Sequence, residues 1–144
     1  MPEKVFVYGT LRTGDCRHGV GCFVQMLAPV AFVEHFAMLD LGGFPGLVPV
    51  SPQDDDGLLI RGEVHEYEDL ATLDRIEGYV ESAPEQGLYN RSQVTVYTPD
   101  DCFENVWVYV FNGEFDDLYR RRIVASGDWF EHRGYYERLK GSGV

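Results

Sequence analysis

The chain has 144 residues, 44% hydrophobic and 25% charged, enough for one globular domain that buries roughly two-thirds of its unfolded surface. Its formal charge of −12 and pI near 4.6 argue against nucleic-acid and anionic-membrane partners, which need a positive field. No apolar run approaches the roughly 18 residues that span a bilayer. The cysteines Cys16, Cys22 and Cys102 are an odd number without framework spacing, and Met1-Pro2-Glu3-Lys4 enters a strand without an apolar leader. A reducing, cytoplasmic compartment is therefore expected. Residues 1–140 read as a single domain and 141–144 as a flexible tail.

In chain order, residues 4–8 read as a first strand, rich in β-branched and aromatic side chains. That strand runs through Val5-Phe6-Val7 into Tyr8-Gly9-Thr10-Leu11, a glycine turn that offers backbone N–H groups to anions, carboxylates included. Val20, Phe23, Val24 and Leu27 fall at helical spacing and predict a short helix over 17–27, although Gly19 and Gly21 weaken it by about 1 kcal/mol each. Residues 30–39 look extended, 41–46 form a turn cluster, and 47–50 read as a short strand. Asp54-Asp55-Asp56-Gly57 is an exposed loop, too short for a calcium loop. Residues 58–67 predict another strand.

Asp69 can cap the following helix, which turns Leu70, Leu73 and Ile76 inward. Gly78 stands where helices commonly stop in the left-handed conformation. Residues 80–88, with Pro84 and Gly87, form a loop long enough to lie over a pocket. Strands at 89–98 and 104–111 flank Pro99-Asp100-Asp101, which makes a hairpin the economical pairing. The second of these is apolar on both faces and is expected to be central. Many strands with few scattered helices indicate an α+β domain with a closed or nearly closed sheet.

Glu77 is the leading candidate for chemistry. It lies in the last turn of its helix, where the macrodipole disfavours negative charge, with Asp74 three residues earlier. Both influences push its pKa upward, which suits a general base near neutral pH. Asp74 itself reads as a structural residue on the helix rim. Cys16-x-His18-x3-Cys22 offers three metal-capable residues at an unusual spacing without a fourth, and nothing orders a cysteine nucleophile on His18 or His35, so no metal or cofactor is expected. Arg120-Arg121-Arg122 reads as a solvated or ion-pairing edge, and His65 and His132 belong to no pattern.

Five segments together resemble the gamma-glutamylcyclotransferase-like family, in its bacterial and archaeal gamma-glutamylamine cyclotransferase-like branch. They are Tyr8-Gly9-Thr10-Leu11 with Gly14 and His18; Leu73-Asp74-Arg75-Ile76-Glu77-Gly78-Tyr79; Tyr89-x-Arg91 with Val94 and Val96; Trp107-Val108-Tyr109-Val110-Phe111; and Ser126-Gly127-Asp128-Trp129. They occur in the family's order over nearly the whole chain. The resemblance implies a small mixed β-barrel with few short helices and a pocket at its mouth. There the backbone of Tyr8, Gly9, Thr10 and Leu11 would bind the α-carboxylate of a γ-glutamyl group, with Tyr109 near the substrate.

Glu77 would take a proton from the α-ammonium, and the freed amine would attack the γ-carbonyl, giving 5-oxoproline and a released amine or amino acid. An ammonium of pKa about 8 facing a carboxyl of about 4.3 makes that transfer uphill by roughly 5 kcal/mol, so the base needs tuning. The implied partner is a small γ-glutamyl substrate: peptide, amino acid, lysine isopeptide or polyamine conjugate. The chain is expected to be a monomer or weak homodimer. The rival expectation is a binding module that keeps the pocket without turnover.

Overall fold

The computed structural model describes residues 2–9, 11–12, 23–53, 55, 57–113 and 123–134. Five strands close a barrel: β1 (Glu3–Val7), β2 (Phe23–Val33), β5 (Ile60–Tyr67), β6 (Tyr89–Tyr97) and β7 (Cys102–Phe111). Around the barrel the order is β1-β5-β2-β6-β7. Neighbours run antiparallel except at the closure, where β7 meets β1 in parallel through Val5 and Trp107. Strands β3 (Phe36–Asp40) and β4 (Pro45–Pro49) form a separate two-stranded hairpin. Helix α1 (Ala71–Ile76) follows β5, a 3-10 turn (Pro84–Gln86) precedes β6, and the one-turn helix α2 (Trp129–His132) follows an isolated bridge between Leu39 and Ile123. This is the α+β, mixed-barrel architecture that the sequence predicts.

Strand β1 is buried on both faces, and its alternation divides the core. Phe6 and Tyr8 point inward to Ala31, Val33, Ile60, Val64 and Val108. Val5 and Val7 point outward and are covered by Leu70 and Leu73 of the α1 segment, with Tyr67, Tyr89 and Tyr109 beside them. Fully burying one such aliphatic side chain contributes roughly 1.5–3 kcal/mol, so the short helix is held by the surface it covers, not by its six residues alone.

One expectation is corrected and one refined. The described part of the predicted 17–27 helix, from Phe23 onward, is the start of β2, and residues 17–22 lie outside the described residues. Pairing with β5, beginning at Phe23 and Tyr67, overrides the local helical spacing. Three register shifts along that pairing mark bulges, which bend a strand and help a small sheet close. The extended stretch 30–39 is two strands, broken at His35, whose φ of 69° is left-handed. Strand β7 has partners on both sides, β6 and β1, as its two apolar faces require. The tail at 141–144 lies outside the described residues. Among the described residues, no helix is long and apolar enough to cross a membrane.

Candidate active site

Helix α1 ends on Glu77, its C-cap, and the stop is built in hydrogen bonds. Gly78 N–H donates to the Arg75 carbonyl at 3.3 Å and Tyr79 N–H to the Asp74 carbonyl at 2.8 Å. This is a Schellman closure, which needs the left-handed residue that Gly78 supplies at φ 69°. At the other end, Asp69 Oδ1 accepts the Ala71 N–H at 3.1 Å. Both ends of the six-residue helix are fixed, and with them the position of Glu77.

The second wall comes from the exit of β1. Tyr8, Gly9 and Leu11 line the same cavity as Glu77, together with Tyr109 from β7 and Tyr89 at the start of β6. The cavity holds about 100 Å³, and Phe44 and Pro45 of the hairpin add an apolar side. A β-carbon on Gly9 would sit 2.5 Å from Pro45 Cγ, so glycine is what lets the hairpin close on this turn. Of the residues predicted to form the site, Tyr8, Gly9, Leu11, Glu77 and Tyr109 are thus brought together; Thr10 lies outside the described residues.

Three tyrosines frame the cavity, each hydroxyl donating to the protein. Tyr8 donates to the Tyr109 carbonyl at 2.6 Å, Tyr89 to the Pro45 carbonyl at 2.6 Å, and Tyr109 to Asp74 Oδ1 at 2.7 Å. Burial pushes the Tyr8 hydroxyl well above the usual phenol range, reinforced by Tyr89 and the charge of Glu77 and opposed by a backbone hydrogen bond from Leu47. Burial likewise raises Tyr109, then its bond to Asp74 and that residue's charge, while Arg91 pulls the other way. Burial, then the charges of Glu77 and Glu63, raise Tyr67. These hydroxyls stay protonated at neutral pH.

Asp74, expected as a structural residue on the helix rim, ties α1 to β6 and β7. Its Oδ1 holds the Tyr109 hydroxyl and lies 3.3 Å from Arg91 Nε, an ion pair whose Nε–H is not aligned as a hydrogen bond. The Arg91 guanidinium sits between the rings of Tyr79 and Trp107, 4.6 Å from each centroid.

A second polar cluster was not anticipated. Glu63, His65 and Tyr67 alternate along β5 and so share a face. Arg12, 2% exposed, donates through Nε to Glu63 Oε2 and through Nη1 to Asp128 Oδ1, both at 3.1 Å, and lies over the Phe130 ring. Glu63 Oε1 is 2.8 Å from His65 Nε2. Asp128 also accepts the N–H groups of Phe130 and Glu131, capping α2. The readable signal was two polar residues, Glu63 and His65, at alternate positions of an otherwise buried strand. Among the described residues no group of three could hold a metal ion; Cys16, His18, Cys22 and Arg120 to Arg122 lie outside them.

Residues 5–131 match the family model described as gamma-glutamyl cyclotransferase, AIG2-like. A Vibrio cholerae protein with a provisional gamma-glutamylcyclotransferase name is 34% identical over 131 residues, covering 90% of this chain and 96% of its own. The gamma-L-glutamyl-butirosin B gamma-glutamyl cyclotransferase of Niallia circulans is 30% identical over 136 residues, covering 92% and 78%. Among solved structures, YkqA from Bacillus subtilis has a TM-score of 0.69 at 24% identity; the match takes in 96% of this chain but 43% of that one. An AIG2-like protein from Mus musculus has a TM-score of 0.62 at 24% identity, with 84% of each chain covered. These two likenesses concern the fold. By the family match and the two sequence relatives, the chain belongs to the gamma-glutamyl cyclotransferase, AIG2-like family.

Proposed function

We propose that this protein is an active cyclotransferase that converts a γ-glutamyl amine or amino acid into 5-oxoproline and the free amine, with Glu77 as the base. The observation that carries the reading is that the end of α1 delivers Glu77 to the cavity formed by the exit of β1. The backbone of Tyr8, Gly9, Thr10 and Leu11 holds the α-carboxylate, and the substrate's ammonium faces Glu77. Glu77 accepts one ammonium proton, and the nitrogen lone pair attacks the γ-carbonyl carbon. Collapse of the tetrahedral adduct breaks the bond to the departing nitrogen, which takes up two protons, the one held by Glu77 and the one the ring nitrogen sheds as it becomes an amide. The amine leaves as an ammonium while Glu77 returns to the carboxylate. Atoms and charges balance without a co-reactant.

The five-membered ring makes the attack intramolecular, so holding the chain in its cyclised shape supplies much of the rate. The names of the relatives support the reaction class. A cytoplasmic setting belongs to the same proposal and is supported by the cysteine pattern.

The test is incubation with γ-glutamyl peptides, amino acids, ε-lysine and polyamine conjugates, with 5-oxoproline measured by mass spectrometry. Product from at least one class is expected. No product from any of them, with binding still seen by calorimetry, overturns the enzyme reading in favour of a binding module.

A further inference from the structure

We infer that Asp74 is a positioning residue which, by holding the hydroxyl proton of Tyr109, makes the Tyr109 oxygen an acceptor in the cavity and keeps that proton off Glu77. The inference rests on the cyclotransferase reading and adds a residue to it.

The reasoning begins with hydrogen counting. A phenol carries one hydrogen, and a carbonyl or ionised carboxylate carries none to give. In the contacts of Tyr8 with the Tyr109 carbonyl, Tyr89 with the Pro45 carbonyl and Tyr109 with Asp74, the tyrosine must therefore be the donor. What these oxygens then offer a ligand is lone pairs. Glu77, when ionised, also only accepts. Among the described residues the polar side chains bordering the cavity are thus acceptors, a set that fits an ammonium group.

Tyr8 and Tyr89 take this polarity from backbone carbonyls, which a side-chain change leaves in place. Tyr109 takes it from the Asp74 carboxylate, and Asp74 is held in turn by Arg91 between Tyr79 and Trp107. Glu77 is the other carboxylate whose charge reaches the Tyr109 hydroxyl. Without Asp74 the hydroxyl proton can turn to the cavity and bond to Glu77. A hydrogen bond to the charged form of a carboxylate makes it a weaker base. It would also compete with the substrate's ammonium for the same oxygens.

A double-mutant cycle on 5-oxoproline formation reads this out. Tyr109→Phe removes an acceptor to a charged donor and should lower kcat/KM about 10-fold. Asp74→Ala should cost more, about 30- to 100-fold, chiefly in kcat, because it both loses the acceptor and engages the base. The double variant should recover to the level of Tyr109→Phe, since the offending hydroxyl is gone. Asp74→Asn keeps an accepting Oδ1 and should lose only about 3-fold.

A merely structural Asp74 would give no recovery in the double variant; additive losses, or Asp74→Ala at wild-type rate, overturn the inference while leaving the cyclotransferase reading intact. Wild-type protein without product on any substrate overturns both. Should Asp74→Ala fail to fold, binding decides with Tyr109→Phe alone. The ratio of its affinities for γ-glutamyl methylamide and the deamino analogue glutaric acid monomethylamide should fall about 10-fold, and an unchanged ratio refutes the acceptor role.

Discussion

Glu63 and Glu77 are both carried at the barrel wall, and what surrounds them differs in kind. Glu63 has one oxygen on Arg12 and the other on His65, and Arg12 is shared with Asp128 at the start of α2. All four are buried. The cluster joins the residue that ends the β1 turn, the outer face of β5 and the last described helix. Glu77 borders open volume beside tyrosines whose protons are already committed to other acceptors. A carboxylate matched on both oxygens fixes geometry, and one at the edge of a cavity is placed to meet a ligand. The buried cluster also reaches the turn that borders the same cavity as Glu77: the backbone N–H of Arg12 donates to the Gly9 carbonyl at 3.0 Å.

The comparison breaks most visibly at Glu77. Glu77→Gln keeps the shape and a hydrogen-bonding end but cannot take an ammonium proton at neutral pH. Since a general base contributes typically 10²–10⁴-fold, kcat should fall by that order in a 5-oxoproline assay. Melting should change little, and binding of a γ-glutamyl ligand should survive. Turnover at the wild-type rate removes Glu77 from its role.

Arg12→Met should show the reverse pattern. It leaves Glu63 and Asp128 buried without their shared cation, and breaking a buried ion pair from one side costs about 3–5 kcal/mol. The expected signature is a drop in Tm of roughly 10 °C or more. If Arg12→Met melts like the wild type, the buried cluster does not hold the barrel together.

Gly9→Ala touches both regions and sharpens the contrast more gently. Its new methyl meets Pro45, and overpacking of this kind costs about 1–3 kcal/mol. Because the Pro45 carbonyl holds Tyr89, KM for the γ-glutamyl substrate should rise more than kcat falls. A KM unchanged within error would show that the hairpin does not shape the cavity.

Much of this was legible in the sequence, and the exceptions share a cause. Strands β1, β5, β6 and β7 announce themselves through β-branched and aromatic runs, and α1 through Leu70, Leu73 and Ile76. The Glu77–Gly78 stop was readable because a helix end is a local event. What was missed depends on distant partners. Phe23 begins a strand because Tyr67 lies opposite, Arg12 finds Glu63 and Asp128 51 and 116 positions away, and Tyr89 finds Pro45 across 44. The partner of Asp74 was hidden for the same reason: helical spacing gave its side of α1 but not Tyr109, 35 positions on.

The smallest expected effect is a pH dependence at the hairpin, away from both clusters. Asp40 Oδ2 lies 2.9 Å from His132 Nε2, and its Oδ1 accepts from the Gly42 and Gly43 N–H groups. Burial, the largest single influence, would raise the Asp40 carboxyl, but the bond from His132 and the two backbone donors together prevail and hold it below the usual range. A carboxyl lowered by folding contributes stability above its unfolded pKa, near 3.9, and loses it as pH falls through the lower folded value. Asp40→Asn keeps an oxygen for the glycine donors and removes only the charge facing His132. Its melting temperature should therefore lie below that of the wild type at pH 5, by an amount equivalent to at most about 1 kcal/mol for so accessible a pair. The gap should close as both proteins are taken from pH 4 towards pH 2.5. A gap of constant size across that window would mean that the Asp40 charge contributes nothing and that the substitution acts through the turn alone.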